Sequence, residues 1–227
     1  MRARISARAS ATGVSGAEDM AGTAYDAATA LARAARRLDG PRGRLPALFV
    51  FTDPDRLSDP LSVARTLPRG CGIVLRHFGR PDQIELAGPL AAVAGERSLI
   101  LLIAADPELA ESIGAAGVHW PEARAGEARG WRRRRPDWIQ TASAHDAAAI
   151  RRAQRDVDAV FLSPVFASTS PSAGAPIGRL RAGALARRAR RPVYALGGVD
   201  ARTIKRLRGL GFAGAAVVSA IGDEAPA

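Results

Sequence analysis

Short apolar runs that do not alternate with polar residues recur along this chain, and most end in small or polar residues. The clearest pair closes it: Val193-Tyr194-Ala195-Leu196-Gly197-Gly198-Val199-Asp200 and Ala215-Ala216-Val217-Val218-Ser219-Ala220-Ile221-Gly222. A strand that is apolar on both faces belongs in a parallel sheet, because crossover helices lie against each face. Runs of the same kind occur at 47–54, 72–78, 98–105, 117–120, 138–143 and 159–166. Helix-period segments lie between them at 60–66, 82–93, 107–113, 145–155 and 201–210, with an Arg-rich, weakly helical connection at 122–135. This rhythm predicts an α/β chain closed into a single (β/α)8 TIM barrel.

Residues 1–18 are small and polar without period and are expected to be a flexible tail. Residues 19–46 are expected to supply an extra N-terminal helix and a linker, since apolar spacing over 17–38 stops at Asp39-Gly40-Pro41. The barrel is assigned to 47–227. A chain of 227 residues suits one domain with a substantial core.

Charge and cysteine content narrow the function classes. The net charge is +11, and Lys205 is the only lysine. Lys205 lies in a helix-period segment, so imine chemistry on a barrel strand is not expected. The arginines are scattered, apart from 132–135 and 187–191, and no aromatic residues interleave them as a base-stacking surface requires. Nucleic acid is therefore not an expected partner, whereas an anionic small molecule is. No window is long and apolar enough to span a bilayer. The single cysteine, Cys71, excludes an internal disulfide and points to a cytoplasmic protein. The exposed helices of a barrel leave a homo-oligomer open.

In such a barrel the carboxyl ends of the strands converge on one mouth, and the loops after strands seven and eight are a phosphate cradle. Polar residues at those ends are Asp53, Arg76, His77, His119, Ser143, His145, Ser163 and Ser219. His145 is the candidate acid/base, because imidazole titrates near neutrality; a local hydrogen bond at a helix start would suit it equally. His119 lies inside an apolar run and is expected to be a satisfied core histidine. Arg76, next to the apolar Ile73-Val74-Leu75, is expected to pair with an acid or a bound anion. Ser168 and Ser170, in the loop after strand six, can hold phosphate oxygens. No Cys/His cluster has zinc spacing, and the third strand ends in Ala104-Ala105 where Mg2+ would need carboxylates.

Together, Gly117-Val118-His119-Trp120, Ser143-Ala144-His145, Ser163-Pro164-Val165-Phe166, Gly174-Ala175-Pro176-Ile177-Gly178, Leu196-Gly197-Gly198-Val199 and Val217-Val218-Ser219-Ala220-Ile221 resemble the thiamine phosphate synthase family. That family includes the TenI-type thiazole tautomerases, and the resemblance runs from about Ala47 to Gly222. It implies a (β/α)8 barrel that binds a thiazole phosphate through Gly197, Gly198, Val218 and Ser219. It places Ser143 beside a pyrimidine, and Arg76 where synthases have Gln-Leu-Arg-Asp-Lys. Synthases join a pyrimidine diphosphate to the thiazole phosphate with Mg2+ helping the diphosphate leave.

The departures from the synthase pattern sharpen the expectation. Val74 and Phe78 stand where synthases have Gln and Lys. Ala104-Ala105 replaces an Asn-Asp pair, Arg124 replaces an Asp, and Pro171 replaces a lysine. Without Mg2+ or lysine, a departing diphosphate loses its main electrostatic stabilisation. The expected protein is TenI-like and metal-independent, with His145 moving a proton on the thiazole ring, Arg76 at the site and no cofactor. Two alternatives are a thiamine phosphate synthase, which would need Mg2+, and a non-catalytic phosphate-ligand binder.

Overall fold

A computed structural model describes residues 14–57, 59–77, 79–168 and 174–218, with backbone alone over 14–21. Eight parallel strands close into a barrel in sequence order, β8 pairing with β1. They are β1 (Leu48–Phe51), β2 (Gly72–Leu75), β3 (Ile100–Ala104), β4 (Gly117–Trp120), β5 (Ile139–Ala144), β6 (Ala159–Leu162), β7 (Val193–Ala195) and β8 (Gly214–Val217). Each lies within one residue of a run expected to be a strand. The runs extend past the strands because their carboxyl-terminal residues peel away into the mouth loops.

The lack of alternation has a direct cause. Phe49, Phe51, Val74, Leu102, Phe161, Tyr194 and Ala216 point into the barrel, where they form one buried cluster. Leu48, Val50, Ile73, Leu75, Ile103, Val160, Leu162 and Val217 point outward into a second cluster shared with the helices. Inside, Phe49 packs edge-on against Phe161 and Tyr194, with ring centroids 5.1 and 5.4 Å apart. Gly72 makes room for this packing: a Cβ there would lie 2.1 Å from Phe49 Cδ1.

Outside the barrel lie α2 (Pro60–Thr66), α3 (Asp82–Arg97), α4 (Pro107–Ser112), α5 (Ala128–Arg134), α6 (Ala147–Ala153) and α7 (Arg179–Arg188). Asp59, Asp106 and Asp146 cap α2, α4 and α6, each carboxylate accepting a first-turn N–H. Pro60 and Pro107 open their helices, where a missing N–H costs nothing. No helix among the described residues is long and apolar enough to cross a membrane.

Besides α7, a helix the sequence reading did not foresee, and an α3 that runs on to Arg97, two elements differ from the expectation. The N-terminal helix, α1, spans Val14–Arg36, so residues 14–18, expected to be tail, are helical. Ser15 and Gly16 carry no apolar period, but a helix held downstream by packing propagates backward at little cost. Residues 1–13 lie outside the described residues. Ala28, Leu31, Ala32 and Ala35 are buried, and α1 packs against β1, β8 and α2. The second difference is the segment at 201–210, which is not an α-helix but a 3-10 helix over Ile204–Leu207 flanked by turns. The Asp200 carboxylate ties down the amides of Arg202 and Thr203 at 2.8 and 2.7 Å. Gly209 and Gly211, both at positive φ, then stop propagation.

Candidate active site at the carboxyl end of the barrel

The carboxyl ends of the strands open onto a cavity of about 250 Å³. Beyond β1, the buried Asp53 accepts from the Asp55 amide at 3.1 Å, Arg56 Nη2 at 2.9 Å and Arg76 Nη2 at 2.7 Å. Burial raises its pKa, but the Arg56 hydrogen bond and charge, the Asp55 amide and Arg76 outweigh this, so the carboxyl stays below its ordinary value. Arg76 is anchored at its backbone, where its N–H donates to Thr52 Oγ1 at 2.9 Å. It is therefore paired with an acid, and both Arg56 and Arg76 line the cavity. Two guanidinium groups thus meet at one carboxylate on this wall.

The opposite wall comes from the loops after β4 and β5. Glu122 follows Trp120-Pro121 directly. Its Oε2 accepts from His145 Nδ1 at 2.8 Å and from the His145 amide at 3.1 Å, while Oε1 accepts from Arg152 at 2.8 Å. A carboxylate can only accept, so whenever the ring is neutral this contact puts its proton on Nδ1 and leaves Nε2 open for proton exchange. Glu122, Ser143 and His145 all line the cavity.

His119 is a core histidine, as expected. Its Nδ1 lies 2.9 Å from Thr141 Oγ1 and its Nε2 3.0 Å from Ser143 Oγ. Burial and the nearby charge of Arg76 lower its pKa to about 3, so it is neutral at ordinary pH. His77 is not at the mouth: it is buried and faces Asp82 of α3, with Nδ1 3.1 Å from Oδ2.

The third side is built by β6, β7 and β8, which contribute Ser163, Ser168, Gly197 and Val218 to the lining. Gly197 and Gly198 have φ of 85° and 63°, which only glycine adopts freely. A Cβ on Gly198 would lie 2.2 Å from the Ala167 carbonyl oxygen. Gly198, expected beside the ligand, thus packs under the loop after β6 and does not line the cavity. Its carbonyl accepts from Thr203 Oγ1 at 2.9 Å. Ser219 and Ser170 lie outside the described residues.

Strand-end reasoning found Arg76, Ser143, His145 and Gly197, but missed Arg56 and Glu122. Arg56 lies three residues past Asp53 in the same turn, a spacing at which opposite charges commonly pair. Glu122 is two residues past β4, a strand-end position that went unused.

The residues at the end of β3 do not fit Mg2+. Ala104 and Ala105 offer only methyl side chains, and the Asp106 carboxylate beside them is engaged as the α4 cap, accepting from the Leu109 amide at 2.9 Å, whereas Mg2+ requires several oxygen ligands. The Arg124 guanidinium donates to the Ala105 carbonyl at 2.9 Å and is held by Glu127 at 2.6 and 2.7 Å. Among the described residues no group of three or more His, Cys, Asp or Glu side chains could hold a metal ion.

Known proteins share this architecture. A thiamine phosphate pyrophosphorylase from Pyrococcus furiosus superposes with a TM-score of 0.63 at 19% identity, covering 84% of this chain and 90% of that one. In sequence, a thiamine-phosphate synthase from Halorhodospira halophila is 32% identical over 186 residues, 78% of this chain and 87% of its own. A putative thiamine-phosphate synthase 2 from Aquifex aeolicus is 29% identical over 167 residues, 71% of this chain and 89% of its own. The model of the TMP-TENI family, described as thiamine monophosphate synthase, matches residues 54–221. With the closed barrel and these relatives, that match shows that the chain belongs to the thiamine monophosphate synthase (TMP-TENI) family.

Proposed function

We propose that this barrel binds a thiazole phosphate and moves a proton on its ring, as a TenI-type thiazole tautomerase does, and is not an efficient synthase. The observation that carries this is the Glu122–His145 pair on the cavity, together with a β3 end that carries Ala104 and Ala105, the latter's carbonyl held by Arg124. In this mechanism His145 Nε2 takes a proton from the thiazole ring. Glu122 stabilises the resulting imidazolium, and the same proton returns at another ring position. Atoms and charge balance without a co-reactant, so only a positioned base and an anchored substrate are required. The turn at Gly197, with Val218 and Ser168 beside it, anchors the phosphate. Ser219, Ser170 and Gly198 remain candidates for the same cradle by resemblance, Gly198 by shaping the turn. Arg76, on the cavity wall, faces a second anionic group, such as the ring carboxylate of the unaromatised tautomer.

The second reading, thiamine phosphate synthesis, is favoured by the names of the sequence relatives. It would require Mg2+, for which the β3 end offers only Asp106, a carboxylate already capping α4. A turnover assay on purified protein, with and without Mg2+, separates the readings. One arm offers thiazole phosphate with pyrimidine diphosphate, and the other offers the thiazole carboxylate phosphate tautomer. Isomerisation that is independent of Mg2+ and lost in His145→Ala is expected. Rapid Mg2+-dependent formation of thiamine phosphate would overturn the tautomerase. Silence in both arms, with thermal stabilisation by thiazole phosphate, would leave a non-catalytic binder.

A further inference from the structure

The cavity has a second histidine behind it that the proton transfer does not use. In the register of β4 and β5, His119 pairs with Thr141, and Ser143 lies two residues further along the same face. The imidazole packs edge-on between Phe51 and Phe161, with centroids 4.9 and 5.4 Å away, and is 1% exposed. It touches Thr141 at one nitrogen and Ser143 at the other. Of the two hydroxyls, only that of Ser143 belongs to a cavity-lining residue.

A neutral imidazole has one donor and one acceptor nitrogen, whereas each hydroxyl can play either part. Two arrangements follow. With the proton on Nε2, His119 donates to Ser143 Oγ, and the serine O–H is free to donate to a ligand. With the proton on Nδ1, the serine O–H turns inward and its lone pairs face the ligand. Among the hydrogen bonds of the described residues, Thr141 Oγ1 reaches only His119. The chain is a dead end and cannot deliver a net proton.

We propose that His119 is a positioning residue whose tautomer sets the hydrogen-bonding face that Ser143 shows to the ligand. For thiazole phosphate, which resting on the function proposed above is the ligand, the ring and phosphate offer acceptors. Binding then selects the Nε2–H form and an outward serine O–H.

The test is 15N NMR of the full chain labelled at its three histidines. The His119 nitrogens should report a neutral ring from about pH 5 to 8. Ser143→Ala should shift Nε2 in the free protein. Thiazole phosphate should move wild-type His119 toward the Nε2–H form and leave it unmoved in Ser143→Ala. By calorimetry, His119→Phe and Ser143→Ala should each weaken thiazole phosphate about three- to ten-fold, the worth of one hydrogen bond. The double variant should be no weaker than either single. A His119 spectrum indifferent to Ser143→Ala, or losses that add, would overturn the proposal. If His119→Phe fails to fold, the Ser143→Ala spectra decide alone. If thiazole phosphate does not bind, the proposed function falls, while the free-protein Nε2 shift still decides the His119 assignment.

Discussion

Replacing Glu122 by glutamine tests the acid/base pair through a feature of its own geometry. Arg152 has only donors, and it contacts Oε1 at 2.8 Å. In Glu122→Gln the amide oxygen therefore stays toward Arg152, and the NH2 turns to the side that Oε2 occupied. That side faces His145 Nδ1 and the His145 amide, both of which donated to Oε2; the backbone N–H can only donate and loses this acceptor, whereas the ring nitrogen can switch. Nδ1 must then accept, the ring proton moves to Nε2, and the nitrogen needed as base is blocked. A positioned general base contributes roughly 10²- to 10⁴-fold. The His145 side chain is 59% exposed and Glu122 28%, so water competes for both, and the loss falls somewhat below that range. We expect turnover of the thiazole tautomer to fall about 30-fold, or about 2 kcal/mol in the barrier. The double variant Glu122→Gln/Arg152→Ala frees the amide to rotate its oxygen toward His145. It should recover to within about five-fold of wild type, since a neutral acceptor replaces a charged one. The assay is single-turnover isomerisation, with 15N NMR of His145 reporting the tautomer. A double variant slower than Glu122→Gln would refute the claim that Arg152 fixes the amide.

Three further outcomes are expected. Ala105 holds φ of 58°, a left-handed conformation that costs about 1–2 kcal/mol, so Ala105→Gly should raise stability by roughly 0.5–1 kcal/mol in urea unfolding after the entropic cost of glycine; a loss would show that the conformation is unstrained. Gly198→Ala adds both the left-handed penalty and a Cβ 2.2 Å from a backbone oxygen, so it should cost about 2 kcal/mol or more and weaken thiazole phosphate at least about ten-fold, and unchanged melting and affinity would sink the account of the turn. Because the folded pKa of Asp53 is depressed, its carboxylate stabilises the fold above the unfolded value near 4 and loses that contribution as pH falls through the folded value. Asp53→Asn should therefore be less stable than wild type at pH 7, with the gap closing below about pH 4; a gap that is constant with pH would refute the pairing.

The barrel was legible because two-sided burial leaves a mark in every strand. Ile73 and Leu75 meet the helices while Val74 meets the interior, so the run cannot alternate. The segment at 201–210 misled because Ala201, Ile204 and Leu207 are spaced by three, which a 3-10 turn satisfies as well as an α-helix. Strand-end logic found His145 and Arg76, since it needs only the position where an apolar run stops. It could not find the His145–Glu122 contact, which joins residues 23 apart through two neighbouring loops. Likewise the paired glycines announced a turn, but only packing shows that Gly197 meets the cavity and Gly198 meets Ala167.

The proposed function asks less of the charges around the mouth than diphosphate displacement does. Arg56 and Arg76 both contact the Asp53 carboxylate, which holds two guanidinium groups at this wall of the cavity. Arg124, by contrast, is bound to both oxygens of Glu127 and to the Ala105 carbonyl, so its charge is already spent within the protein. A diphosphate leaving group would need concentrated positive charge at the β3 edge, and that edge presents methyl groups and a neutralised guanidinium. Ring tautomerisation asks for no such charge. It asks for an anchored anion and an oriented base, and Gly197, Arg76, Glu122 and His145 stand around one cavity in the arrangement that supplies both.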